Sequence, residues 1–360
     1  MSENEQRGAA LWADALLAAR LLAADPYAIG GILLRAPHGP VRDRWLSLLD
    51  RFRQSKTGLR RLPPQIGEDR LLGGLDLAAT LRAGRPVAER GLLAAADGEV
   101  LAIPTAERLS PTLAGHLGAA LDLGVIRAER DGLRLEHPCR IGVVALDEGL
   151  GSDERPPAAL RDRLAIHLDL TPVTLREAAL PDDRADVPAA VASSAIEPDE
   201  TVIAALCEAA LMLGISSLRA PLLALRVAGA VARLAGRARI DARDAGVAAR
   251  LVLAPRAMVL PAAAEAAAPP PAPPPSDAAE ERERTADGPL TEVVLEAALA
   301  ALPPDVLARL REAGRRRVGG GRSGAALLHK LHGRPVGTRP GAPRSGARLS
   351  LVDTLRAAAC

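Results

Sequence analysis

Residues 28–46 read AIGGILLRAPHGPVRDRWL. The first eight, 28–35, form a short apolar run of the kind that makes a buried strand, RAPHGPVRD is a loop, and RWLSLLDRF opens a helix. Strand, loop and helix in that order are the setting of a phosphate-binding loop. The working motif, G-x-x-x-x-G-K-[ST], uses its glycines to close backbone N–H groups on phosphate, its Lys to reach the outer phosphates and its hydroxyl to hold Mg²⁺. The matching window here runs from Ala36 to Asp43. Ala36 and Val41 replace both glycines, and Pro37 and Pro40 remove two backbone donors. Arg42 stands at the lysine position beside Gly39 and could still touch an anion, while Asp43 replaces the hydroxyl and repels phosphate. Taken alone, the window also fits an ordinary surface loop.

Downstream, VLAIP (100–104) is a second short strand, RIGVVAL (140–146) a third and LAIHLDL (164–170) a fourth. An intact site of this kind ends its second strand in an acidic pair that holds Mg²⁺ and activates water. Here Pro104 and Thr105 stand there, and Glu107, two residues on, is expected to face elsewhere. Ser110 and Pro111 start a helix that runs to about Leu123. Strands alternating with helices predict an α/β fold with a mostly parallel sheet covered by helices on both faces. Residues 1–24 read as a helix stopped by Asp25-Pro26, and 71–97 as a Gly-rich turn with two short helical runs.

From about 196 the pattern becomes all-helical, with helices at 200–213, 219–235 and 241–254. The expected domains are a degenerate core over 1–195, a small helical lid over 196–260, an extended Pro-rich linker over 261–290, a helix over 291–312 and a basic flexible segment over 313–360. Eight prolines fall within 261–290, which points to a stiff, disordered linker. Residues 313–352 carry nine Lys/Arg and no acid, a stretch that does not fold alone and invites an electrostatic partner.

Composition narrows the function. Only Trp12, Tyr27, Trp45 and Phe52 are aromatic, so the core is Leu/Ala/Val and a base-stacking nucleic-acid binder is disfavoured. Three scattered cysteines exclude a disulfide framework, and Cys139 and Cys207 are expected to be buried, inert thiols. The polar start MSENEQRG lacks a secretory pattern, and no uncharged apolar run approaches the ~18 residues of a membrane span. A cytoplasmic chain is expected.

Five windows together, DPYAIGGILLRAPHGPVRDRWL (25–46), RLLGGLDLAATLRAGRPVAERGLLAAADGEVL (70–101), RIGVVALDEG (140–149), PPAALRDRLAIHLDL (156–170) and SLRAPLLALRVAGAVARLAGRARIDARDAGVAARLVLAPRA (217–257), resemble the D subunit of magnesium chelatase. The resemblance spans about 10–260 and continues through the linker to GARLSLVDTLRAAA (346–359). It implies an AAA+ module, a P-loop-type core with a lid, similar to the sister I subunit that hydrolyses ATP. The family pattern continues into an integrin-I-like domain with an Asp-x-Ser-x-Ser metal site. No such motif occurs here, and a chain cut short before that domain is expected.

The same resemblance assigns site residues. Arg163, in LRDRL, matches the arginine finger, and Arg219, in SSLRAPLL, the sensor-2 arginine, both acting in trans; the other reading of each is a solvated or salt-bridged helix-end arginine. Arg155 is a weaker candidate from the same loop. Asp147 and Glu148 lie near the sensor-1 position, where a turn-forming role competes. His38, His116 and His167 show no metal-ligand spacing. The implied function is a non-hydrolysing platform subunit that assembles in a homo- and hetero-oligomeric ring with the I subunit and works with the porphyrin-binding H subunit. The complex inserts Mg²⁺ into protoporphyrin IX in (bacterio)chlorophyll biosynthesis. No cofactor is expected on this chain alone, Mg-ATP being held at interfaces with the I subunit. The alternatives are an AAA+-derived adaptor that recruits another client through its basic tail, and a weak ATPase using Arg42 for Lys.

Overall fold

The computed structural model describes residues 3–53, 58–130, 132–151, 153–178, 196, 198–261, 289–302, 307 and 310. Helix α1 (Glu3–Ala24) is followed by one short turn, α2 (Pro26–Ile29), strand β1 (Gly31–Arg35) and helix α3 (Pro40–Arg53). Next come β2 (Arg60–Arg61), α4 (Glu68–Leu72), β3 (Gly73–Leu75), α5 (Leu77–Ala83), β4 (Ala88–Arg90), α6 (Leu92–Ala95) and β5 (Val100–Ile103). A 3₁₀ turn (Ala106–Arg108) leads to α7 (Pro111–Leu123), β6 (Val125–Arg130), β7 (Leu133–Pro138), β8 (Gly142–Asp147), α8 (Ala158–Arg161), β9 (Ile166–Asp169) and α9 (Leu175–Ala178).

Five strands form one sheet in the order β2-β5-β8-β1-β9, every neighbouring pair parallel. Alternate side chains point to opposite faces. Ile32 and Leu34 of β1, with Val144 and Leu146 of β8, join one core with α1 and α3, while Leu33, Val143 and Ala145 join another with α4, α6 and α7. Burial on both faces explains why these strands read as unbroken apolar runs. Trp45 of α3 donates its indole N–H to the Ala15 carbonyl of α1 at 2.8 Å, so this ring is buried with its polar atom satisfied.

The second part is helical: α10 (Glu200–Met212), α11 (Arg219–Leu234), α12 (Ala242–Ala248), a π-turn (Ala249–Leu253), a 3₁₀ turn (Ala254–Arg256) and α13 (Leu290–Ala300). Val294 and Ala298 of α13 are fully buried, and Ala297 lies so close to α12 that a Cβ on Gly246 would sit 3.4 Å from its methyl. The helix beyond the proline run therefore packs against α10 and α12. Arg256 ties the helices to the sheet, donating to Ala165 O at 2.9 Å, to Val252 O at 2.7 Å and to Leu164 O.

Several expectations move. The strand over 28–35 starts at Gly31, because Asp25 caps a turn by accepting from Ala28 N at 3.0 Å and Gly30, at φ 70°, ends it. The next helix begins at Pro40, proline taking the first helical position, where its missing N–H costs nothing. Two antiparallel hairpins, β3–β4 and β6–β7, and the two-residue strand β2 carried no apolar run to reveal them. Cys207 is exposed on α10, whereas Cys139 is buried. The body of the Pro-rich stretch (262–288) and the basic segment from 313 onward lie outside the described residues.

Candidate functional site

The loop after β1 sits at the carboxyl end of the sheet, the end where open α/β folds bind ligands. It borders a cleft of about 550 Å³ whose walls include His38, Arg42, Asp43, Arg61, Pro104 and Glu148. Arg42 points inward from the first turn of α3 and is buried. Its Nη1 donates to Glu148 Oε1 at 2.6 Å, a short charge-assisted bond. Gly39, by contrast, stands in open space: a Cβ there meets nothing within 4 Å.

Behind the cleft Asp147, the last residue of β8, is fully buried and accepts from Arg155 Nη1 at 3.0 Å, Arg35 Nη1 at 3.4 Å and Gly149 N at 3.1 Å. Burial pushes its carboxyl above the usual carboxylate range, and the Gly149 N–H and the Arg35 charge pull the other way. Glu107 does not face elsewhere. Thr105 adopts φ 45°, the left-handed region that a β-branched residue rarely enters, and this turns the chain back so that Glu107 accepts from Glu148 N at 3.1 Å. Arg42, Arg35 and Arg155 thus hold acids of the chain itself. Pro37 and Pro40 remove two loop donors, and a phosphate reaching Arg42 would have to displace Glu148.

Arg163 and Arg219 lie elsewhere. Arg163 falls just before β9 begins, and its carbonyl is 3.1 Å from where a Cβ on Gly30, just before β1, would sit. Both markers belong to the amino end of the sheet. At about 3.3 Å per residue along β1, roughly 15 Å of strand separates this end from the cleft.

There the two arginines converge on one carboxylate. Arg163 donates from Nε at 2.9 Å and Nη2 at 2.6 Å to Asp122 Oδ2, and Arg219 donates from Nη1 at 2.9 Å to Oδ1 of the same residue. Arg163 Nη1 also reaches Ala159 O at 2.8 Å, and Arg219 Nε reaches Asp162 Oδ2 at 3.1 Å. Ser217 holds the other oxygen of Asp162 at 2.6 Å. The side chains of Arg163 and Arg219 are 23% and 37% exposed, against 7% for Arg42. Arg155, bound to Asp147, is not part of this pair.

The structure therefore separates the four anticipated residues into two groups, Gly39 with Arg42 at one end and Arg163 with Arg219 at the other. Asp122 and Asp162 were not anticipated. The one available hint was Asp122 in the last turn of a helix, where a negative charge is disfavoured. Among the histidines, His38 borders the cleft, His116 lies 3.8 Å from Glu68, and His167 Nε2 lies 3.0 Å from both Arg161 O and Arg256 Nη2. Loss of water around the ring, and secondarily the Arg256 charge, hold His167 well below the usual imidazole range. Among the described residues no group of three or more His, Cys, Asp or Glu could hold a metal ion, and no helix is long and apolar enough to cross a membrane.

Residues 203–278 match the AAA lid domain family. Over 97% of its length the chain is 40% identical to the magnesium-chelatase 60 kDa subunit of Cereibacter sphaeroides, of which it covers 60%. It is 38% identical over 94% of its length to the subunit of the same name from Rhodobacter capsulatus, covering 59% of that protein. A 40% stretch of the chain is 28% identical to 41% of the magnesium-chelatase 38 kDa subunit of Rhodobacter capsulatus. The chain thus spans about 60% of the length of the 60 kDa relatives it matches.

Proposed function

From the premise that the chain belongs, over the stretch it shares with them, to the family of the magnesium-chelatase 60 kDa subunits, we propose that it is a platform for ATP hydrolysis carried out on another subunit. The carrying observation is the placement of its basic groups at opposite ends of one sheet. Arg42, in the chain's own cleft, is buried and closed by Glu148, whereas Arg163 and Arg219 are paired and partly exposed at the far end. Groups roughly 15 Å of strand away from a cleft cannot act in it, so an anion that uses them sits on another chain.

In this reading Mg-ATP is held by an I-type subunit, the class to which the 38 kDa relative belongs. Arg163 lends positive charge to the outer phosphate as the bond to it breaks, the role of an arginine finger. Arg219 supports the same charge from the first residue of α11. Nucleotide-driven movement then passes to a porphyrin-binding H-type subunit, where Mg²⁺ enters protoporphyrin IX as substrate. The chain contributes no hydrolysis of its own, because Pro37, Pro40 and the Arg42–Glu148 pair leave its cleft without a phosphate cradle.

The test is reconstitution. Purified alone, the chain turns over no ATP above background; substantial turnover abolished by Arg42→Ala would sink the reading. With the I- and H-type subunits, Arg163→Ala leaves the assembly intact by size-exclusion chromatography. It lowers ATP-dependent chelation by on the order of tenfold or more, a finger being worth 10³ or more in the best cases. Unchanged chelation removes Arg163 from the mechanism.

A further inference from the structure

We propose that Asp122 is the positioning residue of the arginine pair: its carboxylate holds Arg163 and Arg219 as one fork and occupies the place that a terminal phosphate of a nucleotide on an adjoining subunit takes over. This rests on the reading that the pair serves a neighbour.

Three observations carry it. First, Asp122 splits its two oxygens between the two guanidiniums, Oδ2 to Arg163 and Oδ1 to Arg219, so one anion sets the spacing of both cations. A phosphate offers guanidinium groups the same paired acceptor geometry with more charge. Second, both charges in the Asp122–Arg219 pair stand at the wrong helix ends. Asp122 is in the last turn of α7, where the carbonyl dipoles are negative, and Arg219 is the first residue of α11, where the N–H dipoles are positive. Neither placement helps its own helix, so the pair itself, 97 residues apart in sequence, is what those positions serve. Third, α7 is shaped to receive the arginine. The Arg163 stem lies on Gly118, where an added Cβ would fall 3.0 Å from Nε and 3.2 Å from Cδ.

The surroundings suit exchange with a partner. Asp122 is 30% exposed, and Leu123 and Leu218, next in the chain to Asp122 and Arg219, are 59% and 85% exposed. Such leucines give an approaching subunit an apolar rim around the charged fork. Asp162, held by Ser217, keeps Arg219 aligned from the other side when Asp122 lets go.

The probe is inorganic pyrophosphate, titrated calorimetrically into the purified chain at low ionic strength. Wild type binds weakly. Asp122→Asn, which keeps the shape and removes one negative charge a few ångströms from the anion, binds roughly tenfold tighter. The gain disappears in Asp122→Asn with Arg163→Ala. Gly118→Ala suits a helix and keeps the fold, yet displaces the Arg163 stem and weakens binding several-fold. Equal or weaker binding by Asp122→Asn overturns the proposal, and so does wild-type affinity in Arg163→Ala, which would mark an adventitious ion only.

In the reconstituted complex Asp122→Asn lowers the KM for Mg-ATP and also lowers kcat, since the fork is easier to enter but less well aligned. A merely structural role for Asp122 would not lower KM. If the chain never associates with an I-type ATPase while the pyrophosphate titration behaves as stated, the platform reading falls, and with it the neighbour's nucleotide as the ligand, while Asp122 remains the group that positions the arginine pair and competes with the anion. If the complex forms and KM is unmoved, the assignment falls alone.

Discussion

Glu148→Ala tests whether the chain's own cleft is closed by an internal ion pair. Arg42 keeps 7% of its side chain exposed and Glu148 25%, and the bond between them is 2.6 Å. Removing one partner of a fully buried pair costs about 3–5 kcal/mol, chiefly because the other charge is left without compensation. Glu148 retains contact with water, which lowers the expected loss to about 2 kcal/mol. For a folded unit of this size that corresponds to a fall in Tm of roughly 4–8 °C. The assay is thermal and urea unfolding of the wild type, Glu148→Ala, Arg42→Met and the double variant at pH 7. If the cost is the stranded guanidinium, Arg42→Met in the Glu148→Ala background restores most of the loss, and the cycle returns a coupling of about 2 kcal/mol. A Glu148→Ala protein as stable as the wild type would refute the argument. A double variant no better than Glu148→Ala would do the same, since it would place the cost in some other contact of Glu148.

His167 carries an acid-side prediction. Its folded-state pKa lies well below the ordinary 6.5 through loss of water and the Arg256 charge, so below pH 6.5 the unfolded chain binds the proton first. Stability falls as the pH drops from 6.5 toward the folded value, at up to about 1.4 kcal/mol per pH unit. His167→Gln, unable to titrate, flattens this limb; urea midpoints from pH 7 to 5 that run parallel for the two proteins would contradict it. The thiols give a second test in a Cys360→Ser background. Cys207 is exposed and reacts with maleimide in the folded protein, while Cys139, whose thiol burial pushes up to about 12, reacts only on unfolding. Native labelling of two thiols would be inconsistent with the packing of Cys139 on the Leu93 carbonyl at 3.3 Å.

How far the sequence could be read follows from the range of the interactions. The strands β1, β5, β8 and β9 are short apolar runs because helices cover both faces, and α7 announces itself through Ser110 and Pro111. The hairpin β6–β7 was signalled by Asp131-Gly132 between two runs of alternating character, VIRAER and LRLEHP, but neither run is the unbroken apolar kind that marked the buried strands. Arg42 was legible from its place after a strand, but Glu148 as its partner was not, since 106 residues separate them. Glu107 was misread because nothing in VLAIPTAE signals a left-handed Thr105. Arg163 and Arg219 were reachable only through the family resemblance. Asp122 offered only its unfavourable place in the last turn of a helix, because its bonds join residues 41 and 97 positions away.

Both basic sites are charge-neutralised by acids of the chain, yet the two arrangements differ in what they permit. At the carboxyl end the cation is the buried member and the acid, Glu148, is held a second time through its own N–H by Glu107. Opening that pair leaves the buried guanidinium with only Asp43, 3.7 Å away, and an entering anion must give up its own water to replace Glu148 there, a cost set against any gain. At the amino end Asp122, Asp162, Arg163 and Arg219 each keep between 23% and 38% of their side-chain surface, so exchanging the Asp122 carboxylate for a phosphate strands nothing: the arginines stay paired throughout and the released Asp122 is received by water. In the platform reading, retained solvent contact, more than the mere presence of a cation, separates the closed site from the usable one. It does so with the sheet between them holding each end apart from the other.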